Sequence, residues 1–161
     1  MEQIQSYFNA ERYESILFVG IGLISIAVSV WMYRQSPSPF SIGMMIPFIG
    51  IALIGMTVGT TVFLRSPKDI QRVESIMQSN PSAIQTEEIP RMETVMKSFV
   101  LYRWIEISFI VVGLCLMFIL KDFPFWNGVG VGLFIQAALM LSFDYFAERR
   151  GIEYLRWLQQ L

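Results

Sequence analysis

The chain has 161 residues, 54% of them apolar and only 16% charged, with a net charge of −1. That is too little charge for a water-soluble domain, and the near-balance of signs excludes the basic surface that nucleic-acid phosphates demand. Histidine is absent, which removes the commonest general base and metal ligand, and the lone Cys115 excludes an intrachain disulfide or a Cys-x-x-Cys pair.

Residues 1–14 place Ile4, Tyr7, Phe8 and Tyr13 at a rough helical spacing among acids and amides, which predicts a short amphipathic helix. An apolar run over residues 15–33 follows and ends in Trp31-Met32-Tyr33-Arg34, an aromatic and basic flank suited to a membrane interface. The leader carries Glu2, Glu11 and Glu14 against Arg12 and lacks the positive start of a secretory signal, so the run reads as a retained span. Between Arg34 and Arg65 no charged residue occurs. Pro37 and Pro39 place a turn after the first run, and a second run covers residues 41–64 with Pro47 inside it. A helix needs ~20 apolar residues to cross a ~30 Å hydrocarbon core, so both runs qualify as spans.

Residues 65–97 are the one substantial polar insert. Ser66-Pro67 followed by Asp69 reads as a hydroxyl cap, a first-turn proline and a first-turn acid, so a new helix is expected there with Ile70, Val73 and Met77 on one face. Asn80-Pro81 ends it, and Thr86-Glu-Glu-Ile-Pro-Arg opens another. From Pro90 to Leu120 only Gly113 interrupts about 31 helix-compatible residues, roughly 46 Å at ~1.5 Å each. A third span over residues 99–120 therefore projects several turns into water. The aromatic connection from Lys121 leads to a fourth span over residues 124–144, whose helix is expected to continue through Arg150 and bend at Gly151 within an amphipathic tail over residues 145–161. The fold class predicted is an all-α integral membrane protein, one domain over residues 1–161. It is a four-transmembrane-helix bundle with a cytoplasmic helical insert between helices 2 and 3 and amphipathic terminal helices.

Basic residues flanking spans are held on the cytoplasmic side. Arg12, the insert (Arg65, Lys68, Arg72, Arg91, Lys97) and the tail (Arg149, Arg150, Arg156) outweigh Arg34 and Lys121 in the short connections. Both termini and the insert are therefore expected in the cytoplasm, with a bacterial plasma (inner) membrane favoured.

Within that frame, Arg103 and Glu106 are the strongest local anomaly. Glu106 falls roughly 7 Å inside the hydrocarbon, counted at ~1.5 Å per residue from Leu101. Arg103, one turn away, is placed to pair with it. The spacing of Arg103, Glu106, Ile110, Gly113 and Met117 turns this face to the bundle interior. Asp144 and Glu148 share a face of the fourth helix at the same boundary, so these four residues form the candidate intramembrane polar or ion site. Gly55 with Gly59 and Gly128 with Gly132 have the small-xxx-small form that lets helices approach closely, and Gln136 is an amide placed to bridge helices. No catalytic residue, metal site or cofactor is indicated. The expected role is that of a non-enzymatic interaction, assembly or regulatory membrane protein whose cytoplasmic helical surface takes a protein partner. Membrane lipids surround it, a homo-oligomer is open, and nucleic acid is not a partner. The alternatives are an oligomeric transporter or channel for ions, protons or small molecules through Glu106 and Asp144, and a lipid- or quinone-binding protein.

Overall fold

Turn chemistry sets the outer helix ends. In the computed structural model, which describes residues 1–161, α1 (Glu2–Gln35) stops at Ser36, where serines and prolines interrupt the helix. Two residues later Ser38 caps α2 (Pro39–Ser79) through a capping box with Ser41, and Pro39 sits at the first helical position where its missing N–H costs nothing. At the far side of the chain, α3 (Ile89–Ile119) ends in a short turn and Pro124 opens α4 (Pro124–Leu158). Asn127 Nδ2 donates to the Met117 carbonyl at 3.1 Å, occupying one of the acceptors that the end of α3 leaves free. Each of the four helices is long and apolar enough to cross a membrane.

Three boundaries differ from the sequence expectation. Ser66-Pro67 starts no new helix, and α2 runs through it for 41 residues, roughly 60 Å. Pro67 removes a single backbone donor, and the buried Ser66 hydroxyl turns back to the Val62 carbonyl at 2.7 Å instead of capping. Downstream, Val73 is completely buried and Ile70 and Met77 pack beside it, so tertiary packing outweighs the local break. The expected helix start at Thr86 is instead a π-helical turn, Ile84–Glu88, that runs directly into α3. Nor is the leader a separate helix, because residues 2–14 continue α1 without a break, whereas α4 runs on through Arg150 as expected and continues past Gly151 to Leu158. Gly151 lies within α4, buried against Met96 of α3, where any Cβ would overlap the Met96 methyl. It permits close approach.

Helices consecutive in the chain run antiparallel, so α2 and α4 lie parallel, the start of one beside the start of the other. Gln5 Nε2 donates to Glu74 Oε1 at 2.8 Å, joining the start of α1 to the end of α2. The principal interfaces are α1–α2, α2–α4 and α3–α4, which leaves α1 and α3 on the flanks. Both chain ends and the α2–α3 link thereby gather at one end of the bundle, called the cap below. All charged residues except Arg34, Lys121 and Asp122 belong to that half. The cap has its own core of Ile4, Tyr7, Phe8, Val73, Ile84, Met92, Tyr154 and Leu158, drawn from every helix.

Candidate functional site

Arg103, Glu106, Asp144 and Glu148 come together where α3 and α4 pass from their apolar stretches into the cap. The interior face expected for α3 is the packed one, since Glu106 and Gly113 are buried on it, in heptad register with Met92. The pairing differs from the expectation. Arg103 donates across the interface to both oxygens of Glu148 on α4, not to Glu106 one turn along its own helix. Glu106 is turned into the α3–α4 seam toward Asp144 and is only 6% exposed, whereas Glu148 stands where a long arginine reaches it. A cross-helix pair also fixes one helix on another, which a pair within a single helix does not.

The two arginines that follow Glu148 on α4 go elsewhere. Arg150 donates to Glu14 of α1, and Arg149 lies over the Tyr145 ring at 5.9 Å from its centroid. Asp144 and Glu106 thus face each other with no arginine bound to either, and Glu106 Oε2 is buried without a hydrogen-bond partner. Beside them a cleft of about 490 Å³ opens between α3 and α4, with Asp144, Arg103 and Glu148 in its wall.

The glycine motifs divide. Gly128 and Gly132 both lie on the α2–α4 interface, where a Cβ would overlap the Phe40 carbonyl and the Pro47 ring respectively. Gly59 packs on α1, 2.7 Å from its would-be Cβ to the Ser15 carbonyl, while Gly55 makes only ordinary contact with Phe18. Gly130, between the two motif glycines of α4, faces the other way and meets Gly113 of α3. Gln136 Nε2 donates to Ser25 Oγ at 2.8 Å, a buried bridge from α4 to α1.

Sequence reasoning missed the buried carboxylate of the cap. Glu88 is 0% exposed and receives Arg72 Nη2 at 2.6 Å, Arg91 Nη2 at 2.6 Å and Arg91 Nε at 2.9 Å. The Tyr154 hydroxyl approaches at 3.4 Å. Burial works against its ionised form, but the hydrogen bonds and charge of Arg91, then of Arg72, outweigh it and hold the carboxyl below its ordinary range. Burial, aided by the adjacent carboxylates Glu11 and Glu88, pushes the Tyr7 and Tyr154 phenols up. Burial also raises Glu11 and Glu14, with Tyr7 and Arg65 opposing it at the first and Arg150 at the second. The one available signal was the run Glu88-Ile-Pro-Arg91, an acid and an arginine one turn apart at a helix start.

Comparison with protein-family models, curated proteins and solved structures yields no match to this chain. Its function has to be read from its own chemistry.

Proposed function

We propose that this chain is an integral membrane protein, crossing the bilayer four times, whose cap stands in the cytoplasm as a non-enzymatic docking platform for a protein partner. The orientation follows from the basic residues gathered at the cap against Arg34 and Lys121 at the opposite turns, the asymmetry that holds a segment inside. A bacterial plasma membrane fits this pattern.

The observation that carries the platform reading is the Glu88 knot. One buried carboxylate gathers Arg72 of α2, Arg91 of α3 and Tyr154 of α4, at the join between the π-helical turn and α3. It ties the ends of three helices into one body around the aromatic core of Tyr7, Phe8 and Tyr154. Beyond this body the tip, residues 78–82 and 85–87, is exposed and polar, as befits a recognition surface backed by a fixed scaffold.

The test is crosslinking in intact membranes, comparing the wild type with a variant carrying Gln78→Ala, Gln85→Ala and Glu87→Ala. The wild type should give a discrete crosslinked species with a second protein that the tip variant loses, both chains remaining in alkali-washed membranes. An unchanged crosslinking pattern, or a chain released by alkali, would overturn the proposal.

A further inference from the structure

The cleft between α3 and α4 joins three features. Its volume of about 490 Å³ lies in the range that accepts a small organic group. Three aromatic rings, Phe99, Tyr145 and Phe146, contribute to its walls, with Leu141 beside them. Its charge is unbalanced. Arg103 and Glu148 neutralise each other across the cleft, Arg150 is taken by Glu14 and Arg149 lies over the Tyr145 ring, while Asp144 has no bound cation. Behind Asp144, Glu106 is 6% exposed and its Oε2 has no partner.

These features select a ligand class. A hard divalent ion takes six or more oxygen ligands, and two carboxylates among aromatic and aliphatic walls do not supply them. An ammonium group suits both halves of the cleft, because a carboxylate cancels its charge and aromatic faces attract it without demanding a full hydration shell. The apolar remainder of the wall then accepts hydrocarbon.

We infer that the α3–α4 cleft binds the ammonium group of an amphiphile, with Asp144 as its counter-charge, Glu106 supporting Asp144, and Phe99 and Phe146 flanking the cation. The inference rests on the membrane reading only for the source of the ligand, a lipid headgroup amine or a free amphiphilic amine.

Equilibrium dialysis of the full-length protein in a neutral maltoside detergent, with dodecyltrimethylammonium as probe and dodecanol as uncharged control, tests it. The cation should bind saturably and the alcohol should not. Asp144→Asn should weaken the cation at least about tenfold by removing its counter-charge, with Asp144→Glu restoring most of it. Glu106→Gln should weaken it less. Leu141→Trp keeps both carboxylates and fills the cleft, so it should also reduce binding. It covers the case in which Asp144→Asn does not fold. Native mass spectrometry from nanodiscs containing phosphatidylethanolamine and phosphatidylglycerol separates the sources. Selective retention of ethanolamine lipid by the wild type and not by Asp144→Asn assigns the site to a headgroup, and saturable amine binding without such retention assigns it to a free amine. No saturable binding to the wild type, or equal binding by Asp144→Asn and Leu141→Trp, overturns the inference. Alkaline extraction of membranes is scored separately, so a failure of the membrane reading would be seen as such.

Discussion

The cap and the long apolar stretches pack with different balances of large and small side chains. In the cap the buried side chains are large, with Phe8, Ile4, Ile84, Met92 and Leu158 almost fully covered. Along the apolar stretches most residues pressed between helices are small, with Gly22, Ser25, Ser29, Gly43, Ala52, Gly55, Gly59, Gly113, Gly128, Gly130, Gly132 and Ala137 buried and Met44, Pro47, Phe48, Glu106 and Gln136 the larger ones among them. Large residues there, such as Leu23, Ile54, Trp104 and Phe118, face outward. Water drives large apolar groups together, whereas lipid offers no such gain and leaves close backbone contact and hydrogen bonds to hold helices. The change in packing falls near Ser15 and Ser66, whose hydroxyls are satisfied on their own helix.

The sharpest way to break this comparison is to exchange the same side chain in the two regions. Phe8→Ala should cost about 4 kcal/mol in unfolding monitored by circular dichroism in detergent, as truncation of a buried aromatic does. Phe118→Ala, on the outward face, should change it hardly at all. Equal losses would mean that the two regions share one packing rule.

Glu88→Gln should come next, at about 3 kcal/mol, the low end for breaking a buried pair because the Arg72 and Arg91 side chains stay 36% and 26% exposed and can rehydrate. Since the folded-state pKa of Glu88 lies below its ordinary 4.5, this stability is complete above that value and is lost as pH falls through the lower folded-state value. The gap between wild type and variant should therefore close in acid. Glu11 and Glu14 act with the opposite sign, their raised pKa values removing a cost as pH falls, so the difference between the two proteins is the quantity to follow.

Gly128→Ala tests the small-residue rule from the other side. The added methyl meets the Phe40 carbonyl, so α2 and α4 must separate, and a loss of about 2 kcal/mol in the same assay is expected. Gly55→Ala, with its nearest neighbour at 4.0 Å, should be neutral. The smallest effect belongs to Gln136→Leu, which breaks the hydrogen bond to Ser25 and should cost about 1 kcal/mol or less.

The four long helices were legible in the sequence because charge-free runs of that length leave few alternatives. So were the heptad face of Glu106 and Gly113 and the bridging character of Gln136, since periodicity and a lone amide can be read directly. Pro67 misled because a serine and proline before an acid have the form of a helix start, and only the burial of Val73 against the far ends of the chain decides otherwise. Arg103 misled for a related reason. Spacing shows which residues share a turn but not that Glu148, 45 positions away, is the nearer partner. The Glu88 knot draws on positions 72, 88, 91 and 154, and no local pattern links the last to the others.

Tyr7 and Tyr154 stack with ring centroids 4.3 Å apart, which sets the first helix's opening turns beside the last helix's closing ones. A circularly permuted chain, with the old ends joined by a flexible linker and new ends opened in the 36–38 turn, should keep every helix–helix interface. Fusion partners attached at either end will emerge side by side and crowd one another.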